Sequence, residues 1–418
     1  PGAGAHWRKA HTQQAIGDGH HIGVLEGGKE YFAARMGAVD SARHHVHLET
    51  YIFDVHGAGT EVAEALMRAA QRGVQVWVVV DGVGSGALTE DWRQRLLQAG
   101  VDWRVYSPLG TLGLLIPSRW RRLHRKLCVV DGQLAFCGGI NILDDWYDPE
   151  RGALDKPRLD FAVSATGALV QQVQETTAQL WWRMQAVRQV REHQFPQAYS
   201  SFKAASAHAP RAASDPQGEA HPKMARAGLL LRDNWLHRSQ IEKAYCKAIG
   251  LARQDIVIAN AYFVPGRKVR RALIHAAQRG VRVRLLLQGR YEYFMQYHAV
   301  RPVYGALLAA GVEIHEYTAS FLHAKVAVMD AHHDRPWATV GSSNLEPISL
   351  LMAREANVVV VDGAFAQQLQ ARLVLAIEQE STPIAAAAFA GRPRMQRALD
   401  WAAYGLMRLA LILAGKRY

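Results

Sequence analysis

Apolar residues in this chain come in short, unbroken runs. Leu127–Val130 (LCVV) and Val326–Met329 (VAVM) have the length and density of strands buried on both faces. Val76–Val80 and Val283–Leu287 read the same way, and each follows the string Ala-Ala-Gln-Arg-Gly-Val, at 69–74 and again at 276–281. Extended stretches, Val46–Tyr51 and Ile256–Tyr262, stand before those strings. The repeating unit is strand, helix of about 15 residues, Gly at the helix end, buried strand. That punctuation predicts an α/β protein with largely parallel pairing and helices on the sheet faces. Behind each unit, an apolar run turns and returns to Gly-x-x-Asn, as in a β-hairpin. The first copy turns on Asp131-Gly132, a tight-turn pair.

The duplication sets the boundaries: a first domain over 1–194, a second over 228–385, and between them 195–227, rich in Ala, Ser, His and Pro and without periodicity, which reads as a linker. Two similar halves would pair about a pseudo-twofold axis. The tail, 386–418, differs from both. Met395, Leu399, Ala402, Leu406, Leu409 and Leu413 follow helical spacing, and arginines flank the stretch. Its apolar part, 398–414, would reach about 25 Å as a helix, short of a bilayer core, and carries Asp400 and Arg408. Two readings follow: a helix packed on the second domain, or an in-plane helix on anionic lipid. No charge-free run of about 18 apolar residues suggests a spanning helix, and the opening residues hold no apolar stretch of signal-peptide type.

Composition adds sign and compartment. The chain has 418 residues, 49% of them apolar, and a formal charge of +12 from 49 Lys and Arg against 37 Asp and Glu. An excess of this size implies an anionic partner, and nucleic acid and acidic lipid both fit. Three cysteines, with no Cys-x-x-Cys pair, argue for a reducing compartment and against structural zinc.

The chemistry lies in the two hairpins, LHRKLCVVDGQLAFCGGIN from Leu123 and LHAKVAVMDAHHDRPWATVGSSN from Leu322. His124 aligns with His323, Lys126 with Lys325, Asp131 with Asp330, Gly138 with Gly341 and Asn141 with Asn344; the second copy carries four extra residues near 332–336. Residues two apart on a strand share a face, so each His projects beside its Lys. A proton-shuttling or attacking group beside a fixed cation, followed by the donors of Gly-x-x-Asn, suits a phosphodiester. Asp131 and Asp330 belong to the motif, but a turn position suits hairpin scaffolding. At the second turn Ser342 and Ser343 replace Gly139 and Ile140, so the half-sites are chemically unequal.

Paired His-x-Lys-x4-Asp motifs with Gly-x-x-Asn resemble the phospholipase D superfamily. Within it, GGIN at 138–141, GSSNLEPISL at 341–350 and Ala261–Gly266 are most similar to bacterial cardiolipin synthases. The resemblance spans residues 20 to 380. It implies two phospholipase D-type domains, each a mixed, mostly parallel sheet flanked by helices. It also implies that Asp160 holds one catalytic His and Glu355 the other. A carboxylate there would fix the tautomer and stabilise the imidazolium. The superfamily pattern gives the attacking role to the first motif, hence His124 as nucleophile and His323 as general acid/base. Lys126, Lys325, Asn141, Asn344 and the turn positions Gly139 and Ser342 would hold phosphoryl oxygens. The expected reaction is transfer of a phosphatidyl group to phosphatidylglycerol through a phosphohistidine, without metal or cofactor. The enzyme would sit peripherally on the cytoplasmic side of the cell membrane, with phospholipids as substrates and nucleic acid an unfavoured partner. A phosphodiesterase or nuclease on the same scaffold, or a binding protein with a retired site, are the alternatives.

Four weaker signals remain. His44-His-Val-His47 looks like a metal cluster but lacks partners at ligand spacing, so a sheet surface is expected. Gly82–Gly86 lacks the Gly-Lys-Ser/Thr ending of a phosphate loop and reads as a βα turn near the site. Glu49 and Tyr51, at a strand end, are placed to line a cleft. Arg119-Trp-Arg-Arg122 suits a head-group zone, a nucleic acid or plain solvent.

Overall fold

A computed structural model describes residues 17–86, 88–110, 117–148, 151–208, 225–233, 237, 239–290, 294–346 and 353–413. The first half runs β1 (Ile22–Glu26), α1 (Gly27–Ser41), β2 (His45–Thr50), α2 (Ala58–Gln71), β3 (Gln75–Asp81), α3 (Glu90–Gln98), β4 (Val101–Tyr106), β5 (Leu127–Val130), β6 (Leu134–Gly138), β7 (Phe161–Ala165) and α4 (Ala168–Arg191). Helix α5 (Phe195–Ala207) follows. The second half runs β8 (Ala225–Arg232), α6 (Gln240–Leu251), β9 (Asp255–Asn260), α7 (Arg267–Gln278), β10 (Arg282–Gln288), α8 (Phe294–Ala309), β11 (Glu313–Tyr317), β12 (Lys325–Met329), β13 (Trp337–Gly341), β14 (Ala353–Val361) and α9 (Gly363–Gln379), with α10 (Arg394–Leu413) near the C-terminus.

The strand order in the first sheet is β1-β7-β6-β5-β2-β3-β4, and the second repeats it as β8-β14-β13-β12-β9-β10-β11, with Gly17–His20 added beside β8 and Ser381–Pro383 beside β11. The repeated string also folds the same way twice. After α2, Gly73 at φ +89° lets Val74 N–H bond Ala69 O and its own N–H bond Ala70 O. Gly280, at φ +88°, does the same for α7. This Schellman stop needs a left-handed residue, which explains the Gly in both copies.

The expectation of largely parallel pairing is corrected. Among the strands named above, β2–β3–β4 and β9–β10–β11 run parallel to one another. The remaining pairings among these strands are antiparallel, because each His-x-Lys hairpin enters beside the βαβ unit and forces its neighbours to alternate. The linker reading also changes, since its first part is α5, packed along α4.

The two halves share one core. Val129, Cys137 and Val163 of the first sheet join Val326, Val328, Val340 and Val358 of the second, with Leu169 and Val173 of α4 and Leu369 and Leu373 of α9. Strand segments also cross between halves. Arg122 and Leu123 pair in parallel with Ala353 and Arg354, and Leu159 bridges Leu322. His124 N–H donates to Arg354 O at 3.0 Å, and His323 N–H to Leu159 O at 2.9 Å. The same contact is thus made twice, once in each direction, as a twofold relation requires.

Candidate active site

The crossing segments decide which side chains meet. Because each His is bonded beside the opposite half's strand, its carboxylate partner comes from that half. His124 Nδ1 lies 3.0 Å from Glu355 Oε2, and His323 Nδ1 lies 2.6 Å from Asp160 Oδ2. A carboxylate accepts, so Nδ1 carries the proton in each pair and Nε2 is left for chemistry. Two residues on, Lys126 Nζ donates to His124 O at 2.8 Å, and Lys325 Nζ makes the same bond to His323 O. Both lysines are buried. Burial pulls the Lys126 ammonium down to about 7, with Glu355 opposing it and Lys325 adding to it. Burial likewise lowers both imidazoles. For His124, Glu355 opposes this and Lys126 assists; for His323, Lys325 and Lys126 deepen the shift. A site that disfavours charged imidazoles and buries two lysines side by side favours an added negative charge. A bound phosphodiester supplies it.

The second ring of contacts differs between the halves. Glu355 accepts from Ser342 Oγ, from His124 and, at 3.4 Å, from Arg232. Burial raises its pKa, but His124 and Arg232 outweigh that and the net shift is downward. Asp160 accepts from the N–H of Phe161 at 2.8 Å, and burial pushes it up to about 6 despite Lys325. Gly139 stands where Ser342 stands in the other copy, and a Cβ there would lie 2.2 Å from Asp160 Oδ1. The absent side chain is therefore a requirement of the close carboxylate.

The motif's aspartates leave the catalytic group. Asp131, at φ +52°, accepts from the N–H groups of Arg43, His44 and His45, each at 2.8 Å. Asp330, at φ +51°, accepts from Arg253, Gln254 and Asp255 at 2.8 to 3.1 Å. Each sits at the far end of its strand, about 15 Å from the lysine end by strand rise, and ties the hairpin to β2 or β9. Asn141 Oδ1 accepts from Ile52 N–H at 3.2 Å. Asn344 is buried, and its Oδ1 has no partner among the described residues.

A family described as "Cardiolipin synthase, PLD-like domain" matches residues 36–152 and 245–374, one stretch for each hairpin. The chain belongs to this family. It is 36% identical over 368 residues to cardiolipin synthase B of Escherichia coli strain K12, covering 85% of this chain and 80% of that protein. It is 30% identical over 377 residues to cardiolipin synthase of Alkalihalophilus pseudofirmus, covering 90% and 70%. Among solved structures, phosphatidylserine synthase of Haemophilus influenzae shares the fold with a TM-score of 0.64 at 13% identity, over 94% of each chain. Polyphosphate kinase of Porphyromonas gingivalis aligns with a TM-score of 0.55 at 12% identity, over 94% of this chain and 53% of that one. This cardiolipin synthase-like chain is thus an enzyme of the phosphatidyltransferase type on a phospholipase D fold.

Within the family frame, the weaker sequence signals find places. Tyr51 lines the site, its ring centroid 4.9 Å from that of His124 and 5.5 Å from Lys126 Nζ. Glu49 does not line it; buried Glu49 takes both arms of Arg125, at 2.9 and 3.1 Å, one residue before Lys126. The N–H groups of Val83 and Gly84 are taken by Asp81 Oδ1, so the glycine-rich turn is closed on itself. His45 and His47 share a face and stack with Trp77, at ring separations of 6.3 and 4.3 Å. Within the basic string, Arg122 pairs with Asp81 at 3.0 Å while Trp120 and Arg121 are exposed. Sequence reading missed Arg232, which carries no motif; only its pairing with Glu355 across β8 and β14 reveals it. It also missed Phe321, ringed by Arg151, Arg158 and Arg290 at 5.0, 5.8 and 5.3 Å, two residues before His323.

Proposed function

We propose that this enzyme makes cardiolipin by transferring a phosphatidyl group to phosphatidylglycerol through a phosphohistidine on His124. The observation that carries the reading is the crossed pairing of each imidazole with a carboxylate of the other half, over two buried lysines. Neutral His124 Nε2 attacks phosphorus, and the bond to the leaving oxygen breaks as His323 gives that oxygen its proton. An acceptor hydroxyl then gives its proton to His323 and attacks, and the phosphorus–nitrogen bond breaks. The substrate's own charge favours the protonated His323 that the first step needs. Lys126 and Lys325 offset the charge gathered on the non-bridging oxygens, together with the donors of Asn141 and Asn344. The turns at Gly139 and Ser342 lose the phosphate role expected of them, because their N–H groups donate to Phe161 O and Ala356 O and the Ser342 hydroxyl donates to Glu355.

Assignment of attack to His124 rests on its support. Glu355 is held as a carboxylate by His124 and Arg232 and also accepts from Ser342, whereas burial raises Asp160 to about 6. None of these steps calls on a metal or cofactor. The acceptor and donor are lipids, and we place the enzyme peripherally on the cytoplasmic face of the cell membrane. Among the described residues no helix is long and apolar enough to cross it.

The test is incubation with labelled phosphatidylglycerol in vesicles, alone and with a second phospholipid, followed by an alkaline quench that preserves phosphohistidine. Cardiolipin as product and label on His124 are expected. Phosphatidic acid alone would make the enzyme a hydrolase, and label on His323 would reverse the two roles.

A further inference from the structure

Helix α10 is attached along one narrow face. Asp400, 2% exposed, lies 2.7 Å from His298 Nδ1 of α8 and accepts from Arg392 at 2.7 Å; Ala403 and Met407 complete the buried face. The charge that interrupts the apolar tail is therefore the anchor that holds the helix down. The apolar row at helical spacing is left in water. Met395 is 83% exposed, Leu406 58% and Leu409 52%, with Leu399 and Ala402 exposed between them and Trp401 beside them at 59%. Among the described residues nothing buries that row.

Beside α10 lies a cleft shared with the start of α7. Its volume is about 320 Å³, and its lining is Pro265, Arg267, Arg270, Arg271, Tyr404 and Arg408. Four arginines line it, and no carboxylate is among its lining residues. Among the described residues the side chains of Arg267, Arg270 and Arg271 have no hydrogen bond or ion pair, whereas interior arginines such as Arg125 and Arg232 are matched with glutamates. Three of the four stand at the N-terminal end of α7, where the helix dipole disfavours cations and favours an anion. Arg267, Arg270 and Arg271 at that helix end favour something negative beside them. Pro265 is shared with a smaller pocket that includes Ser343 and Asn344, so the cleft adjoins the second catalytic turn.

We infer that α7 and α10 form a membrane-docking surface, in which the arginines hold the phosphate of an anionic lipid head group and the exposed row of α10 enters the acyl boundary. The apolar row selects a bilayer over free phosphate, and the four cations select an anionic one. Docking here would bring the neighbouring catalytic turn to the depth of its lipid substrates.

The test is flotation of the full chain with vesicles of phosphatidylglycerol and phosphatidylcholine, and with phosphatidylcholine alone. Flotation needs no turnover, so its result stands apart from that of the proposed reaction. R267E/R270E/R271E is expected to lose roughly a hundredfold or more in affinity for anionic vesicles. It should keep wild-type turnover on detergent-dispersed lipid. R271A alone is expected to lose about fivefold and guards against misfolding of the triple variant. L406E/L409E should weaken flotation with both vesicle types. If the variants float as the wild type does, the inference is overturned. If inorganic phosphate raises the melting temperature through these arginines while flotation is unchanged in the variants, the cleft is a free-phosphate site and the membrane assignment fails.

Discussion

The carboxylate behind His124 and the one behind His323 stand in equivalent places and in unequal company. Beside Glu355 are Arg232 and the Ser342 hydroxyl. Beside Asp160 are Gly27, whose N–H bonds Asp160 O, and Gly139, which leaves room for its carboxylate. The first pair builds a fixed anion, and the second leaves a carboxyl that titrates near 6. On the outer side the halves also differ. Tyr51 packs on His124, whereas three guanidiniums surround Phe321 ahead of His323. The duplicated skeleton keeps the reacting groups identical. Chemical asymmetry enters through the groups that hold them, so one fold repeated twice gives the same residue type two different settings.

Removing the shared part of the site should have the largest effect. His124→Ala and His323→Ala are each expected to lower kcat at least a thousandfold with an unchanged melting temperature. Wild-type turnover in either would break the paired-site picture. Next, Glu355→Gln should cost on the order of a hundredfold and Asp160→Asn about tenfold. Equal losses would mean that the unequal surroundings have no kinetic consequence. Their pH profiles sharpen this further. Asp160 is raised to about 6, so below that pH it takes a proton and His323 loses its anion. The wild-type acid limb is therefore expected near pH 6, and Asp160→Asn should move it down toward the lowered pKa of His124. An acid limb that stays in place would separate Asp160 from the rate.

A smaller difference is expected one contact further out. Ser342→Ala removes a donor to Glu355 and should reduce kcat about fivefold. Gly139→Ala places a methyl against Asp160 and should cost more than that, because the carboxylate must shift. The reverse ranking would place the important support on the His124 side. The smallest kinetic effect belongs to the hairpin aspartates. Asp131→Asn and Asp330→Asn should each destabilise by about 1–3 kcal/mol in denaturant unfolding, yet leave turnover per folded molecule within twofold. A large fall in kcat at full folding would return them to the catalytic group.

The sequence determined the repeat, and the repeat fixed much of the rest. Apolar runs bounded by Ala-Ala-Gln-Arg-Gly-Val give the βαβ units, because a buried strand and a Gly helix stop are local requirements. His-x-Lys spacing puts each reacting pair on one face of a strand, again a local matter. Aspartates at turns are legible as scaffolding from their turn position alone, but the three N–H groups each one binds, from 43–45 and 253–255, are distant in the chain and only the fold brings them there. Parallel pairing was over-read because strand direction depends on where the hairpins enter the sheet. Helix α5 was hidden because Ala, Ser and Pro carry little periodic signal until a partner such as α4 covers one side.

Only the tertiary structure decided the pairings. Nothing local in Arg158-Leu-Asp-Phe or Arg354-Glu-Ala-Asn says that Asp160 serves the distant His323 and Glu355 the distant His124; the crossed strand contacts at Leu159 and Arg354 do. Arg232 and Gly27 reach their places only through register across neighbouring strands. The tail was ambiguous for the same reason. Its spacing predicts one apolar row, but a helix wheel cannot say which face finds a partner. Asp400 reaches His298 and Arg392, that contact fixes the rotation of α10, and the row is left facing outward.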